Sequence, residues 1–203
     1  GTFGVNIVPV EPVPQHHGLW VSNHVSWMDI PVVGSVSPAF FLSKAEIGNW
    51  PVFGKLVQAA GTVFIERGSG DTDSVTTQIT SFLSGGYSVI FFPEATTTDG
   101  KNIRRIHGTL LQSAIDAGVP VQPMVLAYVN KDGTLSEALP YYGKMTMKDS
   151  RKRVLDSKNV TAYVLPLEPI DPNGYSKSEM TNMLQQRMRD GLIELHTRVL
   201  KAP

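Results

Sequence analysis

The 203-residue chain contains no cysteine. Disulfide bridges, thiolate metal ligands and cysteine nucleophiles are therefore excluded. The chain also lacks any excess of charge, because 18 lysine and arginine residues balance 18 aspartate and glutamate residues. Proteins that bind the phosphate backbone of nucleic acid normally carry a basic excess, so we do not expect nucleic acid as a partner.

No run of residues reads as a membrane-spanning helix. The longest uncharged stretch, residues 74–93, contains several serine and threonine residues and a Gly-Gly pair, which predict a helix, a turn and a strand instead. No signal-peptide pattern is present either. Because the sequence begins with Gly1 rather than methionine, we expect the natural protein to carry an upstream, membrane-associated segment.

What the chain does have is an ordinary globular composition, with 41% hydrophobic and 18% charged residues. Its length suits one full-sized domain with a substantial core. We find no internal repeat and no linker that would divide it. The sequence therefore predicts a single domain over residues 1–203.

Short apolar runs alternate with segments of helical length. Runs rich in β-branched and aromatic residues predict strands at 19–21, 39–42, 62–65, 87–92, 121–129 and 160–167. Helices are predicted at 27–35, 46–60, 73–84, 104–117, 147–157 and 176–200. Proline-rich residues 9–14 suggest an extended entry segment. This alternation favours an α/β domain with a mainly parallel central sheet flanked by helices, ending in an amphipathic C-terminal helix with a Ser176/Glu179 capping box.

Polar residues stand at the ends of several predicted strands. His24 follows the first strand, Arg67 the third and Glu94 the fourth, while residues 119–123 open the fifth. In open α/β sheets, ligands bind beyond the carboxyl ends of the strands. We therefore expect all of these residues to meet at one edge of the sheet.

The segment 23–29, Asn-His-Val-Ser-Trp-Met-Asp, places a histidine in a strand-to-helix turn and a carboxylate about one helical turn later. With Ser26 as the N-cap, Asp29 would be at the third helical position and could fold back to hold one nitrogen of His24. The other nitrogen would then be free to take a proton from a hydroxyl group. A plain Ser-x-x-Asp capping box with an incidental histidine fits the same spacing, so both interpretations stay open.

Three further groups can bind a polar ligand. Arg67 beside a glycine-rich turn can hold phosphate oxygens, although a solvated charge pair is the alternative. Glu94 precedes a loop rich in hydroxyl groups that can bind a head group or an oxyanion, or simply form a turn. Arg104 and Arg105, with Lys101 and His107, form a basic cluster that can collect a phosphate or lie as a solvated helix start.

With these residues in view, the chain resembles the glycerolipid acyltransferases, specifically the 1-acyl-glycerol-3-phosphate (lysophosphatidic acid) acyltransferase family. The family pattern Asn-His-x-x-x-x-Asp is matched by Asn23, His24 and Asp29. Its Phe-Ile-acid-Arg pattern is matched at residues 64–67, and its Val-Pro-(Ile/Val)-x-Pro strand at residues 119–123. Its Phe-Pro-Glu-Gly-Thr-Arg pattern is matched in part at residues 92–97.

The resemblance implies a role for each residue. His24 would be the general base, Asp29 would orient it, and Arg67 would hold the acceptor phosphate. The predicted substrate-binding residues are Asn23, Arg67, Glu94, Thr96, Thr97, Arg104 and Arg105. The donor would be an acyl thioester, either acyl-CoA or acyl-carrier protein, with no cofactor and no metal. The enzyme would work on a lyso-lipid acceptor at the cytoplasmic face of a membrane, such as a bacterial inner membrane.

Two positions depart from the family pattern. The family glycine is Ala95 and the family arginine is Thr97. Either a cation of the basic cluster replaces that arginine, or the acceptor is an amino-acid-based lyso-lipid such as a lyso-ornithine lipid.

Apolar residues between 47 and 57 can line a slot for the acyl chain or simply pack in the core.

Two functions of other kinds compete with acyl transfer. In a metal-dependent hydrolase, His24, Asp29 and Glu94 would form the ligand set. In a lipid-binding module they would have no catalytic role at all. The absence of a Gly-x-Ser-x-Gly pattern disfavours the usual serine hydrolase.

Overall fold

The computed structural model describes residues 4–44, 62–65, 72–157 and 159–201. Within that part of the chain, the strands are β1 (Val5–Pro9), β2 (Leu19–Ser22), β3 (Phe40–Lys44), β4 (Thr62–Ile65), β5 (Val89–Phe91), β6 (Val121–Val129) and β7 (Val160–Pro166). The α-helices are α1 (Asp29–Gly34), α2 (Thr72–Ser84), α3 (Gln112–Ala117), α4 (Met147–Asp156) and α5 (Lys177–Val199), and a 3-10 turn (Thr109–Leu111) leads into α3.

The strands form one seven-stranded sheet in the order β1-β7-β6-β2-β5-β3-β4. From β6 to β4 all neighbours are parallel, whereas β7 runs antiparallel to β6 and pairs in parallel with β1. The predicted α/β class with a mainly parallel sheet is confirmed. Strand β1 was not predicted, because it lies at the sheet edge and buries only Val5, so it lacks the pattern of a core strand.

Helices cover both faces of the sheet. On one face, α2, α3 and α5 pack against side chains such as Leu19, Val89 and Val125. On the other face, α1 and α4 pack against side chains such as Trp20, Ile90 and Leu126. Successive residues of a strand point to opposite faces, so the central strand β6 is buried at all nine positions. This explains why its sequence reads as one continuous apolar run.

Most predicted elements are observed. Strand β6 has the predicted bounds, and residues 74–93 divide into the end of α2, a turn and β5 as expected. The capping box of α5 is present, since the Ser176 N–H donates to Glu179 Oε2 at 2.8 Å and the Glu179 N–H donates to Ser176 Oγ at 3.3 Å. The predicted helix 46–60 lies outside the described residues. Within the described ranges, no helix has the length and apolarity needed to cross a membrane.

The predicted helix 104–117 is wrong in its first half, because helical structure begins only at Thr109. Residues 103–107 instead run across α5, with Ile103 and Ile106 buried. The side chain of Gln185 accepts from the Ile106 N–H at 2.8 Å and donates to the Arg104 carbonyl at 3.0 Å. These long-range bonds take the place of helical ones.

The expectation that residues 119–123 meet the other motifs at one edge is also wrong. Strands β2 and β6 begin together, with Leu19 opposite Val121, and the Leu19 N–H donates to the Pro120 carbonyl at 2.9 Å. The approach is close enough that a Cβ at Gly18 would lie 2.6 Å from that carbonyl oxygen. Residues 119–123 therefore lie at the edge opposite to the carboxyl end of β2.

Candidate active site

The loop after β2 is fastened to β6 by the side chain of Asn23. Its Oδ1 accepts from the Leu126 N–H at 2.8 Å, and its Nδ2 donates to the Leu126 carbonyl at 3.1 Å. The amide group thus continues the pairing of β2 with β6 after β2 has ended. Asn23 is buried, and both ends of its amide are used in this way. Its predicted contact with substrate stays a prediction, and its observed contacts are structural.

A single carboxylate oxygen of Asp29 binds three groups of the loop that follows β2. Oδ2 accepts from His24 Nδ1 at 2.7 Å, from the Val25 N–H at 2.6 Å and from the Ser26 N–H at 2.9 Å. The bond to the Ser26 N–H is one that a capping box would also make, and the bond to His24 is the one that the catalytic interpretation predicts. A single oxygen therefore makes both contacts, and the catalytic role of the pair stays a prediction.

The local helix geometry differs from the expectation in one respect. Asp29 is the first residue of α1 rather than its third, and the N-cap is Met28, which makes no side-chain capping bond. The Ser26 hydroxyl accepts instead from the Met28 N–H at 3.2 Å. Residues 26–28 form a turn, and the helix begins after it. The backbone N–H groups of Val25 and Ser26 bind the Asp29 carboxylate instead of helical carbonyl groups.

The second oxygen of Asp29 is held by a residue that sequence reasoning missed. Tyr128, near the end of β6, donates its hydroxyl to Asp29 Oδ1 at 2.7 Å. Both side chains are buried, with Asp29 0% and Tyr128 2% exposed. Burial, and then the nearby Asp29 charge, raise the pKa of Tyr128 well above its ordinary value, so the phenol keeps its proton. A tyrosine near the end of a buried strand, where its hydroxyl needs a partner, was the signal that could have revealed it.

The imidazole of His24 is fixed on two sides. Asp29 binds Nδ1, and the ring of Phe92 stacks on the imidazole face with centroids 3.9 Å apart and an angle of 6° between the planes. The His24 side chain remains 20% exposed, in contrast to Asp29. With Nδ1 carrying the proton shared with Asp29, Nε2 presents a lone pair, which is the arrangement of a general base.

Glu94 joins this loop to the one after β5. Its Oε1 accepts from the His24 N–H at 2.9 Å and its Oε2 from the Arg104 N–H at 2.7 Å. Glu94 is buried, and this burial raises its pKa above the ordinary value, although the two backbone hydrogen bonds act in the opposite direction. Its described contacts therefore fasten the backbone of the site, and its predicted contact with the acceptor stays a prediction.

The threonine-rich loop lies directly against His24. The Thr98 N–H donates to the His24 carbonyl at 2.9 Å and the Thr98 hydroxyl donates to it at 3.2 Å. Ala95 has a φ of 58°, the left-handed region that favours glycine. Ala95 therefore has a backbone conformation that glycine, the residue of the family pattern, would adopt without strain. Thr96 is exposed and Thr97 half-buried, so both side chains are open to a ligand near His24.

The basic cluster presents its charges on a fixed backbone. Lys101, Arg104, Arg105 and His107 are all exposed. The Arg104 backbone is held by Glu94 and by Gln185, and the His107 N–H donates to the Pro93 carbonyl at 2.8 Å. The structure thus brings Arg104 and Arg105 to the edge of the sheet where His24 lies. Arg67 and the apolar residues 47–57 lie outside the described residues.

The same contacts argue against a metal site made of His24, Asp29 and Glu94. Both oxygens of each carboxylate already accept hydrogen bonds from the protein, and Asp29 occupies the Nδ1 side of the imidazole. In the described part of the chain, no group of three or more histidine, aspartate or glutamate residues is placed to hold a metal ion.

Comparison with known proteins identifies the class to which this site belongs. A sequence model of the family described as Acyltransferase matches residues 4–127. The chain is 40% identical over 176 residues to a protein of Pseudomonas aeruginosa named lyso-ornithine lipid O-acyltransferase, covering 87% of this chain and 68% of that protein. It is also 40% identical over 156 residues to the 1-acyl-sn-glycerol-3-phosphate acyltransferase of Neisseria gonorrhoeae, covering 75% of this chain and 61% of that protein.

The chain therefore belongs to the Acyltransferase family. It is an acyltransferase enzyme, as the resemblance predicted. A crystal structure of the 1-acyl-sn-glycerophosphate (LPA) acyltransferase PlsC from Thermotoga maritima has the same fold, with a TM-score of 0.67 and 22% identity, covering 97% of this chain and 75% of that one.

Proposed function

We propose that the protein transfers a fatty acyl group from an acyl thioester, acyl-CoA or acyl-carrier protein, to the hydroxyl of a lyso-lipid. The observation that carries this proposal is the 2.7 Å bond between His24 Nδ1 and buried Asp29, on an imidazole whose other nitrogen is free to act as a base. The names of the relatives support a lyso-lipid acceptor. The reaction then needs neither a covalent enzyme intermediate nor a metal.

The chemistry follows from this pair. His24 Nε2 takes the proton of the acceptor hydroxyl while its oxygen attacks the thioester carbonyl carbon. The carbon–oxygen bond forms, the carbon–sulfur bond breaks, and the imidazolium returns its proton to the leaving thiolate. Asp29 stabilises the transient positive charge on His24 and keeps Nδ1 protonated. The products are an ester and a free thiol, so atoms and charge balance.

The acceptor head group would be held by the residues around His24. Arg104 and Arg105 are exposed cations whose backbone is attached to Glu94, and Thr96 and Thr97 offer hydroxyl groups on the neighbouring loop. Guanidinium groups suit a phosphate ester, so this set fits 1-acyl-glycerol-3-phosphate. We include Arg67 in this set on the resemblance alone.

The uncharged side chain of Thr97 favours a second kind of acceptor, a lyso-ornithine lipid. Where the family pattern has an arginine, this chain has an uncharged side chain, which lowers the positive charge next to His24. A lyso-ornithine lipid, whose head group contains an amine, needs fewer cations than a phosphate monoester does. The Pseudomonas relative carries this activity in its name.

The enzyme would meet both substrates at a membrane surface, since a lyso-lipid and a long acyl chain are sparingly soluble. We propose a peripheral or anchored position at the cytoplasmic face of a bacterial inner membrane, where acyl thioesters are available. The basic cluster around Arg104 and Arg105 would also favour anionic lipid or an acidic carrier protein there.

A direct competition decides the acceptor. Purified protein receives a labelled acyl thioester and an equimolar mixture of 1-acyl-glycerol-3-phosphate and lyso-ornithine lipid, with and without chelator. The proposed reaction predicts a labelled diacyl product that is unaffected by chelator. A preference for the phosphate acceptor would exclude the lyso-ornithine assignment, and the converse preference would exclude the phosphate one. If neither acceptor is acylated while lipid still binds, the chain is a lipid-binding module and our proposal is wrong.

A further inference from the structure

Tyr128 reaches the active site from β6, the strand to which Asn23 also fastens the loop after β2. Strand β2 ends at Ser22, opposite Met124 of β6, but β6 continues to Val129. This extra length places Tyr128 beside the loop of residues 23–29. The alternation of side chains along β6 puts Tyr128 on the same face as Met124 and Leu126, in the core that also contains Met28 of that loop.

The two oxygens of Asp29 have different partners. Oδ2 accepts three hydrogen bonds from residues 24–26, all within its own loop. Among the described residues, the recorded donor to Oδ1 is the Tyr128 hydroxyl, at 2.7 Å. Because Asp29 is fully buried, water cannot replace a lost donor without opening the core.

We propose that Tyr128 is a positioning residue of the acyltransferase site, which acts through Asp29 to keep the carboxylate ionised and aimed at His24. A charged carboxylate in an apolar core is stabilised by each donor that points at it. Burial raises the pKa of the phenol, so Tyr128 keeps its proton and remains a donor to Asp29. This inference rests on the proposed function, since it assigns Tyr128 a role in the same catalytic pair.

Removal of the phenol oxygen has a defined consequence. Tyr128→Phe keeps the ring in the core and leaves Asp29 Oδ1 without its recorded donor. The carboxylate is then held less firmly in its orientation toward His24, and it stabilises the imidazolium of His24 less well. Because hydrogen bonds to buried charges are strong, we expect kcat to fall about 10- to 100-fold with little change in KM.

The pH profile separates this role from a merely structural one. Among the described residues, the ionisable groups bonded to the loop of residues 23–29 or to one another there are His24, Asp29, Tyr128 and Glu94, with the exposed cations Arg104 and Arg105 beside Glu94, and the variant changes only Tyr128. Loss of a hydrogen-bond donor leaves more negative charge on Asp29 to attract a proton to the His24–Asp29 pair, so we expect the acidic limb of the kcat profile to move to higher pH. Tyr163→Phe is the matched control, because Tyr163 lies on the neighbouring strand β7 and packs in the core on the opposite face of the sheet. This control should retain both the kcat and the pH profile of the wild type.

A spectroscopic test does not depend on turnover. The proton on His24 Nδ1 should give a downfield NMR resonance in the wild type, and this resonance should shift upfield or broaden in Tyr128→Phe but not in Tyr163→Phe. In the wild type itself, the Tyr128 hydroxyl proton should exchange slowly with solvent, which can be measured even if the variant does not fold.

The outcomes separate the two proposals. A kcat within about twofold of wild type, or a fall in kcat without a shift of the acidic limb, would overturn the role of Tyr128. So would a rapidly exchanging Tyr128 hydroxyl proton. A wild-type protein that acylates no acceptor while showing both protected protons would overturn the acyltransfer proposal alone and leave the Tyr128–Asp29–His24 contacts in place.

Discussion

The loops that follow β2 and β5 lie at the same edge of the sheet and are built in opposite ways. In residues 23–29, buried side chains bind one another and the backbone, and only His24 and Trp27 are partly exposed. In residues 93–107, the backbone is fixed by Glu94 and Gln185, while Arg104 and Arg105 extend outward. The first loop has the order that proton transfer needs, and the second has the open charges that recognition needs.

Glu94 binds both loops, so its contacts show how the two parts of the site are joined. One carboxylate binds the backbone N–H groups of His24 and Arg104, so the base and the basic cluster share a single anchor. Changes in the first loop should therefore affect the rate of the chemical step, and changes in the second loop should affect the binding of the acceptor. A change at Glu94 should disturb both.

The largest expected effect is that of His24→Ala. Loss of the general base should lower the rate of acyl transfer about 100- to 10,000-fold, with the fold preserved, since the ring is partly exposed. Acyl transfer is followed with labelled thioester, and folding by thermal unfolding. His17→Ala is the control, because the hydrogen bond that its ring makes within the described residues is to the Tyr87 carbonyl, at the other edge of the sheet. Acyl transfer at wild-type rate in His24→Ala would refute the catalytic assignment.

Next in size is the double variant Arg104→Gln with Arg105→Gln. We expect KM for an anionic acceptor to rise about 5- to 10-fold with kcat nearly unchanged, because exposed charges steer and hold the ligand but do not touch the reacting atoms. Added salt should remove much of the difference between variant and wild type. Lys131→Gln with Arg189→Gln removes the same charge from exposed residues outside the cluster and should have no effect on KM. Equal KM values in all three proteins would contradict the recognition role.

A smaller effect, on stability, is expected for Glu94→Gln. The substitution replaces one carboxylate oxygen with an NH2 group, so one of the two backbone N–H groups bound by Glu94 then faces another donor. We expect a loss of about 1–3 kcal/mol in the free energy of unfolding. Burial raises the pKa of Glu94, so the protonated form is favoured on folding, and the wild type loses stability as pH rises from about 4.3 through that raised pKa. The advantage of wild type over Glu94→Gln should therefore shrink over this range.

Urea unfolding of both proteins at several pH values from 4 upward measures this difference. An advantage of the wild type that grows with pH would show that the two backbone hydrogen bonds to Glu94 outweigh its burial. The pKa of Glu94 would then be lowered rather than raised.

The smallest effect is expected at Ala95, whose left-handed backbone costs energy that glycine avoids. Ala95→Gly should raise the free energy of unfolding by about 0.5–1 kcal/mol after the greater freedom of unfolded glycine is subtracted. Ala117→Gly, in the last turn of α3, should lower it by about 0.5–1 kcal/mol. Thermal or urea unfolding measures both changes. Destabilisation by both substitutions would mean that Ala95 is not strained.

The strands, the C-terminal helix and the His24–Asp29 pair could be predicted because each rests on local patterns. Alternation of apolar runs marks strands, and the short spacing of five residues in the chain is enough to join His24 to Asp29. The helix predicted at 104–117 failed in its first half for a related reason. Its helical propensity is local, but Gln185, about eighty residues later in the chain, offers its backbone competing hydrogen bonds.

The amino-acid sequence alone therefore determined the class of fold, the family and the contact between His24 and Asp29, since these depend on periodicity, short spacings and motifs that resemble those of a known family. Only the tertiary structure decided what holds that pair in place. Tyr128 is 99 residues from Asp29 in the chain. It contacts Asp29 because β6 extends beyond the point where the neighbouring strand β2 ends. Glu94 binds backbone groups of two loops, and no side-chain pattern records where a backbone N–H will point. Contacts between distant segments depend on packing, which a linear pattern does not encode.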